Sequence, residues 1–497
     1  MKGKAATLIP YLLPLLSTFS LAQGPCPTKF STTINLTLSH DLICTIPQVY
    51  GPGGLVGVPN NGPLGSTDQA SAAFKHSVHF QDSSLASFAP LTAEIGTALS
   101  QLPLTSPASG FIFVFSPSLQ VYTRSAENFG PILTERADTI GRHKLYVGVS
   151  YQFFNFDKVD GVSLRNFPAV FQHEPEKCPN TPATVTCING SGPPTITKDH
   201  VITDNTINLK AHQVTAIATF GFTDRADLSI AVPILHLTMD MTSIASIYNY
   251  EAFDPTILPQ CCVHQFAPPP VRQGETLGPI FTPPSNPQSP YYSSASFFRS
   301  NSASGIGDIV FRGKYRVFKG EKVGVAVGGD LRIPTGDELN FLGSGTWGIR
   351  PFATLSYSGR FSPHASVGYQ INGNSVLGGD ISSYTAARLP DVGTYSAGAD
   401  YGISTRLSLT ADFLGQTLRN AQKIAVTAPT TLTADNSTIP NAGLKTSTGT
   451  TNLASVAVGG KFNPFGKLLV TANVLFRVND AGLHSKPVPL GSISYTF

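Results

Sequence analysis

The second half of the chain is dominated by segments in which apolar and polar residues alternate. The stretch GDIVFRGKYRVFKGEKVGVAVGGDLRIPTG, residues 307–336, shows this most clearly. Ile309 and Tyr315 fall on one face of an extended chain, whereas Arg312 and Lys314 fall on the other. Because successive side chains of a β-strand point to opposite faces, this period of two predicts a strand, a tight turn and a second strand.

The same pattern predicts twelve strands. They lie near residues 142–156, 210–222, 226–239, 306–318, 321–333, 349–359, 363–372, 393–402, 405–415, 452–463, 466–478 and 488–497. Every second connection between them is short, and the others are long, which is typical of outer-membrane barrels with short periplasmic turns and long extracellular loops. We therefore predict an all-β fold, a transmembrane antiparallel up-and-down β-barrel with both ends in the periplasm.

Two alternatives accompany this prediction. A soluble sandwich or barrel also alternates, with its apolar face turned inward. The regular succession of short and long connections favours the membrane barrel over it. A short hairpin around Pro117 would raise the number of strands to fourteen, but its arms are shorter than the ~9–11 residues that a spanning strand needs. We place it outside the membrane.

The C-terminal residues SISYTF continue the alternation to the last position. Ile493, Tyr495 and Phe497 form an apolar stripe on a strand that must pair with the first strand to close a barrel. The stripe resembles the C-terminal aromatic signal that the bacterial barrel-assembly machinery recognises. We expect this machinery and outer-membrane lipid as partners, in a Gram-negative bacterium.

The N-terminal part of the chain follows a different pattern. Residues 1–22 have a basic start, an apolar run and small residues before a cleavage point, which is typical of a secretory signal peptide. We expect export to the outer membrane after its removal. Residues 23–140 lack the barrel pattern and form a predicted N-terminal extension of mixed structure, and the barrel occupies residues 141–497.

One helix is predicted in this extension, over residues 88–102. Leu91, Ile95 and Leu99 recur at helical spacing, and Pro90 suits the first turn of a helix. The sequence leaves three placements open for this helix: it plugs the lumen, rests on the periplasmic rim, or packs on the short hairpin.

Composition narrows the possible function classes. The chain has 33 basic and 30 acidic residues, so it lacks the excess of positive charge expected of a nucleic-acid-binding protein. Only 13% of its residues are charged, about half the usual share for soluble proteins. We predict no nucleic-acid partner and no cofactor.

Six cysteines fit an oxidising compartment. Proximity along the chain makes Cys26 with Cys44, and Cys178 with Cys187, candidate disulfides. The CCVH sequence at 261–264 is a weak pattern for a metal site, and we predict no metal.

Several motifs in the strand-rich region carry a resemblance. They are GIGD at 305–308, KY at 314–315, PTGD at 334–337 and LGSG at 342–345. They resemble a family of bacterial outer-membrane barrels described as transporters of the meta-cleavage pathway of phenol degradation. The resemblance extends over about 142–497. It implies passage of small molecules, aromatic or hydrophobic in character, without catalysis.

The charged residues of the polar stripes are candidates for lining the lumen. They are Asp308, Arg312, Lys314, Arg316, Asp330, Arg332, Arg406, Asp412, Lys461 and Arg477. A charge exposed to lipid costs ~2–4 kcal/mol at mid-membrane, so these side chains are expected to face inward. Two uses remain open: a polar pore wall that contacts a solute, or ion pairs that merely fill the barrel. The loop at 333–348 either folds into the mouth as a constriction or lies outside as a flexible loop.

These patterns favour an outer-membrane channel or transporter that passes small molecules by passive or facilitated diffusion. The alternative is a surface barrel whose long loops bind a partner or have a structural role. An enzyme is less expected, because the sequence has no G-x-S-x-G and no H-E-x-x-H motif. No catalytic residue is assigned.

Overall fold

The structure, a computed structural model, describes residues 36–46, 82–106, 113–116, 121–124, 128–172, 200–248, 279–280, 294–431 and 438–497. The predicted signal peptide lies outside these residues, as do Cys26, Cys178 and Cys187. Cys44 lies within them and is disulfide-bonded. No helix in these ranges combines the length and the apolarity needed to cross a bilayer.

In the described part of the chain, twelve strands form one closed antiparallel sheet. They are β1 (Leu145–Val159), β2 (His200–Gly221), β3 (Ala226–Tyr248), β4 (Ser294–Ile306 continued by Ile309–Lys319), β5 (Val323–Ile333), β6 (Gly348–Tyr357), β7 (Phe361–Asn372), β8 (Asp391–Ser404), β9 (Leu407–Thr427), β10 (Gly443–Phe462), β11 (Leu468–Arg477) and β12 (Val488–Thr496). This barrel confirms the predicted fold class and the predicted number of twelve strands.

The last strand closes the barrel on the first. Leu490 pairs with Gln152 and Thr496 with Tyr146, in one continuous antiparallel register. The ring is completed at the C-terminus itself, where the Phe497 N–H donates to the carbonyl oxygen of Leu145 over 2.7 Å. Closure satisfies the backbone groups of both terminal strands, which in hydrocarbon have no water to bind.

The outer surface carries a belt of exposed apolar side chains. Val149, Tyr315, Val367 and Leu409 are typical members, and each alternates with inward-facing polar or small residues. Such an outward apolar belt is what a bilayer requires of a barrel wall. β2, β3, β9 and β10 have 20 to 23 residues, far more than ~9–11, so they extend beyond the membrane on the side of the long loops.

Several short elements lie outside the twelve-strand ring. Strands Phe113–Ser116 and Val121–Arg124 form a separate two-stranded sheet, so the hairpin does not add strands thirteen and fourteen. Four other short strands pair with strands of the ring in the long loops: Val162–Ser163, Phe167–Gln172, Pro279–Ile280 and Leu483–Ser485. Two separate two-stranded sheets consist of Asn374–Asp380 with Thr385–Arg388 and of Thr430–Thr431 with Thr438–Ile439. Short helical turns occupy Leu38–His40, Asp41–Thr45 and Glu338–Asn340.

The long helix α1 covers Asp82–Leu99 and contains Pro90 in its interior. The predicted start at residue 88, with Pro90 in the first turn, was therefore wrong. A proline in a helix interior costs about 3 kcal/mol or more. Phe88, Leu91 and Ile95 are fully buried inside the barrel, and burying each contributes about 1.5–3 kcal/mol. Tertiary packing thus overrides the local signal of the proline.

The assignment of lipid-facing and inward-facing residues predicts opposite effects at two adjacent positions of β7. Val367 is 61% exposed on the belt, and Ser366 lines an interior cavity. We expect Val367→Arg to impair assembly because it exposes a charge to lipid at a cost of about 2–4 kcal/mol. Ser366→Arg should still assemble. Heat-modifiable gel mobility measures the folded fraction, and equal effects of the two changes would contradict the assignment.

Candidate functional site in the barrel lumen

The segment of residues 128–141, just before β1, lies against inward-facing residues at the periplasmic end of the barrel. The Asn128 side-chain amide donates to the Gly359 carbonyl over 2.9 Å, in the short turn between β6 and β7. The Phe129 N–H donates to Ser408 Oγ, and the Ile140 N–H to a carboxylate oxygen of Asp227. These contacts tie one segment to strands on several sides of the ring.

A buried ion-pair cluster holds the middle of this segment. Glu135 accepts from Arg312 Nη1 at 2.5 Å and from Lys314 Nζ at 3.2 Å. The Lys314 ammonium also donates to the backbone carbonyl of Asp138, whose carboxylate accepts from Arg316 at 2.9 Å. The inward stripe of β4 therefore binds the N-terminal segment through three successive cations.

The cluster continues along the wall through Asp330. Its carboxylate accepts two hydrogen bonds from Arg312, at 2.6 and 2.9 Å, and further hydrogen bonds from Arg350. The Arg312 guanidinium also lies 5.3 Å from the centre of the Phe352 ring. Removing one member of such a buried set leaves an uncompensated charge, which costs about 3–5 kcal/mol.

A second polar cluster lies on β7, β8 and β9 in the periplasmic half, beside the first. His364 Nε2 lies 2.8 Å from Asp412 Oδ1 and 2.7 Å from Thr134 Oγ1, and the hydroxyl of Thr134 also donates to Asp412. Asp400 approaches the other ring nitrogen of His364 at 3.5 Å. Thr134 is thus the point at which the N-terminal segment enters this cluster.

The side chain of Lys461 binds backbone carbonyl groups of the same segment. Its fully buried ammonium donates to the carbonyl oxygens of Phe129 and Pro131, at 3.1 and 2.6 Å. The buried ammonium group of this lysine thus finds its hydrogen-bond acceptors in the segment that precedes the barrel in sequence.

Asp308 lies at the break between the two parts of β4 and binds a loop. Its carboxylate accepts from the backbone N–H groups of Gly336 and Ser344, and Arg332 lies 3.6 Å away. A Cβ on Gly343 would come within 2.4 Å of Asp308 Oδ1, so this approach requires glycine. The 333–348 loop folds inward: Phe341 is fully buried against the interior core.

One predicted lumen residue lies elsewhere. Arg406 is exposed in the short turn between Ser404 and Leu407, at the periplasmic end. The alternation would place residue 406 on the inward face, but β8 runs on to Ser404 and β9 begins at Leu407. The arginine therefore falls in the turn rather than on a strand, and its prediction as a lumen residue was wrong.

The extracellular half of the barrel contains an apolar core. Phe88, Leu91 and Ile95 of α1 pack there with inward-facing residues of β1, β2 and β3 and with the folded loop. The short helical turn Asp41–Thr45 packs against this core. The carboxylate of Asp41 in this turn accepts a hydrogen bond from Arg299 of β4 over 2.7 Å. Residues 88–99 of α1 and residues 128–141 thus occupy the lumen at its two ends, and α1 does not rest on the periplasmic rim.

Two of the cavities in the described part of the barrel adjoin each other between these layers. The central cavity, of about 200 Å³, has charged walls that include Arg312, Asp330, Arg332 and Arg350. An adjoining cavity of about 90 Å³ lies towards the extracellular side and is mostly apolar, with Arg477 at its wall. Residues 101–103, Leu414 and Gln416 line both cavities.

The sequence pattern did not predict the acidic partners that the N-terminal segment contributes. Glu135 and Asp138 stand in the short sequence TERAD, ahead of the first strand. The available signal was this cluster of charged residues in a chain that has few charges. β4 carries Arg312, Lys314 and Arg316 but has no acidic residue of its own to pair with them. His364, Asp400 and Arg350 also lie on inward stripes but were not singled out.

Within the described residues, no three His, Cys, Asp or Glu side chains cluster closely enough to hold a metal ion.

A known family matches the central region of the chain. Residues 219–428 match the model of the family described as "Putative MetA-pathway of phenol degradation". This match confirms the resemblance predicted from the motifs at 305–345, over a shorter region than the predicted 142–497. No curated protein matches the chain in sequence.

Solved structures of outer-membrane channels are similar to the chain at low identity. An outer membrane channel from Pseudomonas putida F1 has a TM-score of 0.39 and 10% identity, covering 73% of this chain and 98% of that one. The CymD monoaromatic hydrocarbon channel has a TM-score of 0.30 and 11% identity, with coverages of 71% and 88%. The toluene transporter TbuX from Ralstonia pickettii has a TM-score of 0.26 and 11% identity, with coverages of 80% and 99%.

The helix α1 carries a buried acid that predicts a pH dependence of stability. Glu94 lies in the extracellular part of the barrel, beyond the membrane-spanning segments, among residues such as Ala421 and Gly482. Burial raises the pKa of Glu94 to about 9; the negative charge of Asp160 acts in the same direction, and Lys423 opposes it. The protonated acid is thus the form that the folded protein favours.

A carboxyl group with a raised folded pKa contributes stability below its unfolded pKa of about 4.5, and this contribution is lost as the pH rises towards about 9. We expect Glu94→Gln to remove this loss, so that the melting temperature of the variant exceeds that of the wild type by about 2 °C or more at pH 8. The difference should shrink towards pH 4. Melting curves parallel at every pH would contradict the assignment.

Proposed function

We propose that the protein is an outer-membrane channel for small molecules with apolar bodies, and that its own N-terminal residues form a plug in the lumen. We define the plug as residues 82–106 and 128–141. The observation that carries the proposal is the pair of adjoining cavities left between the plug and the wall of a closed barrel. The family description, with its reference to phenol degradation, supports a role with aromatic compounds.

The size of the barrel supports a lumen built for passage. Eight strands give an interior just wide enough for side chains to fill, and the width grows with the number of strands. Twelve strands leave room for a helix, an extended segment and two cavities. Ion pairs that merely fill a barrel would leave no open space, yet the central cavity has both charged walls and unfilled space.

The proposed mechanism is passage by diffusion along the lumen, with movement of the plug as the controlling step. The wall is held by the continuous backbone ladder, whereas the plug is held mainly by side chains such as Arg312, Lys314 and Lys461. Breaking a few such bonds frees residues 128–141 of the plug and leaves the wall intact. The step needs no chemistry on the solute, so we propose no enzymatic activity.

Single-channel current in planar bilayers tests the plug. We expect small or infrequent currents from the wild type, and at least about a tenfold rise in open time for Glu135→Gln, because the loss of a buried ion-pair partner weakens docking by about 3 kcal/mol or more. Glu321→Gln is the matched control, since Glu321 is exposed in a periplasmic turn. Folded protein that conducts in neither form would contradict the channel proposal.

A reversible cross-link tests whether the plug must move. A Cβ built on Gly324 of β5 lies 3.1 Å from the Cβ of Ala137 in the plug, close to the spacing of a disulfide. We expect oxidation of the Ala137→Cys/Gly324→Cys variant to abolish the current and reduction to restore it. Each single variant serves as a control. Currents that persist in the oxidised, cross-linked barrel would show that passage does not require the plug to leave the wall.

A further inference from the structure

The smaller cavity has a distinctive wall. Phe154 and Phe156 of β1 stand at one side, with ring centres 5.9 Å apart and planes only 7° from parallel. The remaining apolar walls come from several other parts of the barrel: Ala98, Leu102, Leu414, Leu418, Leu453, Leu475 and Leu483. A space bounded by two phenyl rings and several leucines suits an apolar body of the size of a phenyl ring or a short alkyl chain.

Arg477, at the end of β11, is the cationic residue of this wall. One of its terminal nitrogens donates to the Ala481 carbonyl over 2.8 Å. Its Nε is buried and has no hydrogen-bond partner, and no ion pair joins Arg477 to a carboxylate within the segments that the structure describes. By contrast, Arg312 and Arg350 of the central cavity both bind Asp330.

Arg477 is half-buried, and a guanidinium with a buried, unpartnered Nε in such a position favours a bound anion. Removing a charge from water without a counter-charge costs several kcal/mol, which a bound anion offsets. The planar fork of arginine matches a carboxylate, which it binds through two parallel N–H···O bonds. One donor of Arg477 is already used on Ala481, and the side chain lines a cavity whose other walls are mostly apolar.

We propose that this cavity binds a small monocarboxylate with an aromatic or short aliphatic body. The carboxylate lies on Arg477, and the apolar body lies between the phenyl rings of Phe154 and Phe156 and the facing leucines. The inference rests on the proposed function, for which it specifies the class of solute. Gln101 and Gln416, which the two cavities share, place the bound acid at the boundary of the central cavity, where the next part of the route begins.

Ligand-observed NMR on the folded full-length barrel in detergent tests this site, with benzoate as the probe and benzyl alcohol as its neutral counterpart. We expect benzoate to bind the wild type, and Arg477→Gln to weaken this binding at least about tenfold, as expected for a charge-assisted hydrogen bond. Arg477→Lys should retain part of the affinity. Arg419→Gln, which removes one exposed positive charge near the same end of the barrel, should leave the affinity unchanged.

Two results would overturn the proposal: equal affinity of wild type and Arg477→Gln for benzoate, or benzyl alcohol binding as tightly as benzoate. Heat-modifiable gel mobility verifies that each variant is folded. If Arg477→Gln does not fold, the wild type decides the question, because benzoate binding must weaken below about pH 4, where the ligand loses its charge. Binding that does not change with pH would then contradict a carboxylate on Arg477.

The failure of this inference can be distinguished from failure of the proposed function. If the Glu135→Gln variant conducts but benzoate binds wild type and Arg477→Gln with equal affinity, the proposal of a channel is supported and the proposed class of solute is wrong. If benzoate binds through Arg477 but neither Glu135→Gln nor the reduced cross-link variant conducts, the site stands and the barrel is a binding protein rather than a channel.

Discussion

The closed ring of backbone hydrogen bonds is the constraint on which the rest of this structure depends. Within hydrocarbon, every N–H and C=O must find a partner in the protein, and an open sheet edge has none. The pairing of β12 with β1 meets this requirement to the last residue, where Phe497 binds Leu145. The ring fixes which face of each strand meets lipid, and therefore which side chains must share the interior.

The interior then poses a second problem, because a ring of twelve strands encloses more space than its own side chains fill. The chain fills much of it with residues that precede the barrel. In the periplasmic half, cations of β4 and Lys461 bind the carboxylates and carbonyls of residues 129–138. In the extracellular half, α1 buries Phe88 and Leu91 in an apolar core. The cavities lie where these two kinds of packing meet, which gives one charged and one apolar chamber.

Individual residues show which structural features local sequence patterns predict and which they do not. The alternation around Arg312 and Tyr315 predicts both the strand and its two faces, because the period of two is a property of the extended backbone itself. Arg406 obeys the same alternation and yet lies in a turn, because the exact end of a strand depends on the register of its neighbours. Pro90 predicts a helix start, but the helix begins at Asp82, because burial of its apolar face outweighs the local preference.

By itself, the sequence determines the wall: the twelve strands, the side on which the turns are short, the lipid-facing stripes and the closing aromatic stripe. These follow from local periodicity and from the rule that a barrel has no edge. Only the tertiary structure decides what the lumen contains. The partnership of Glu135 with Arg312, separated by 177 positions, and the lack of such a partner for Arg477 among the described residues, depend on which distant segments share one enclosed space. Periodicity carries no information about such contacts, since every inward-facing charge satisfies it equally.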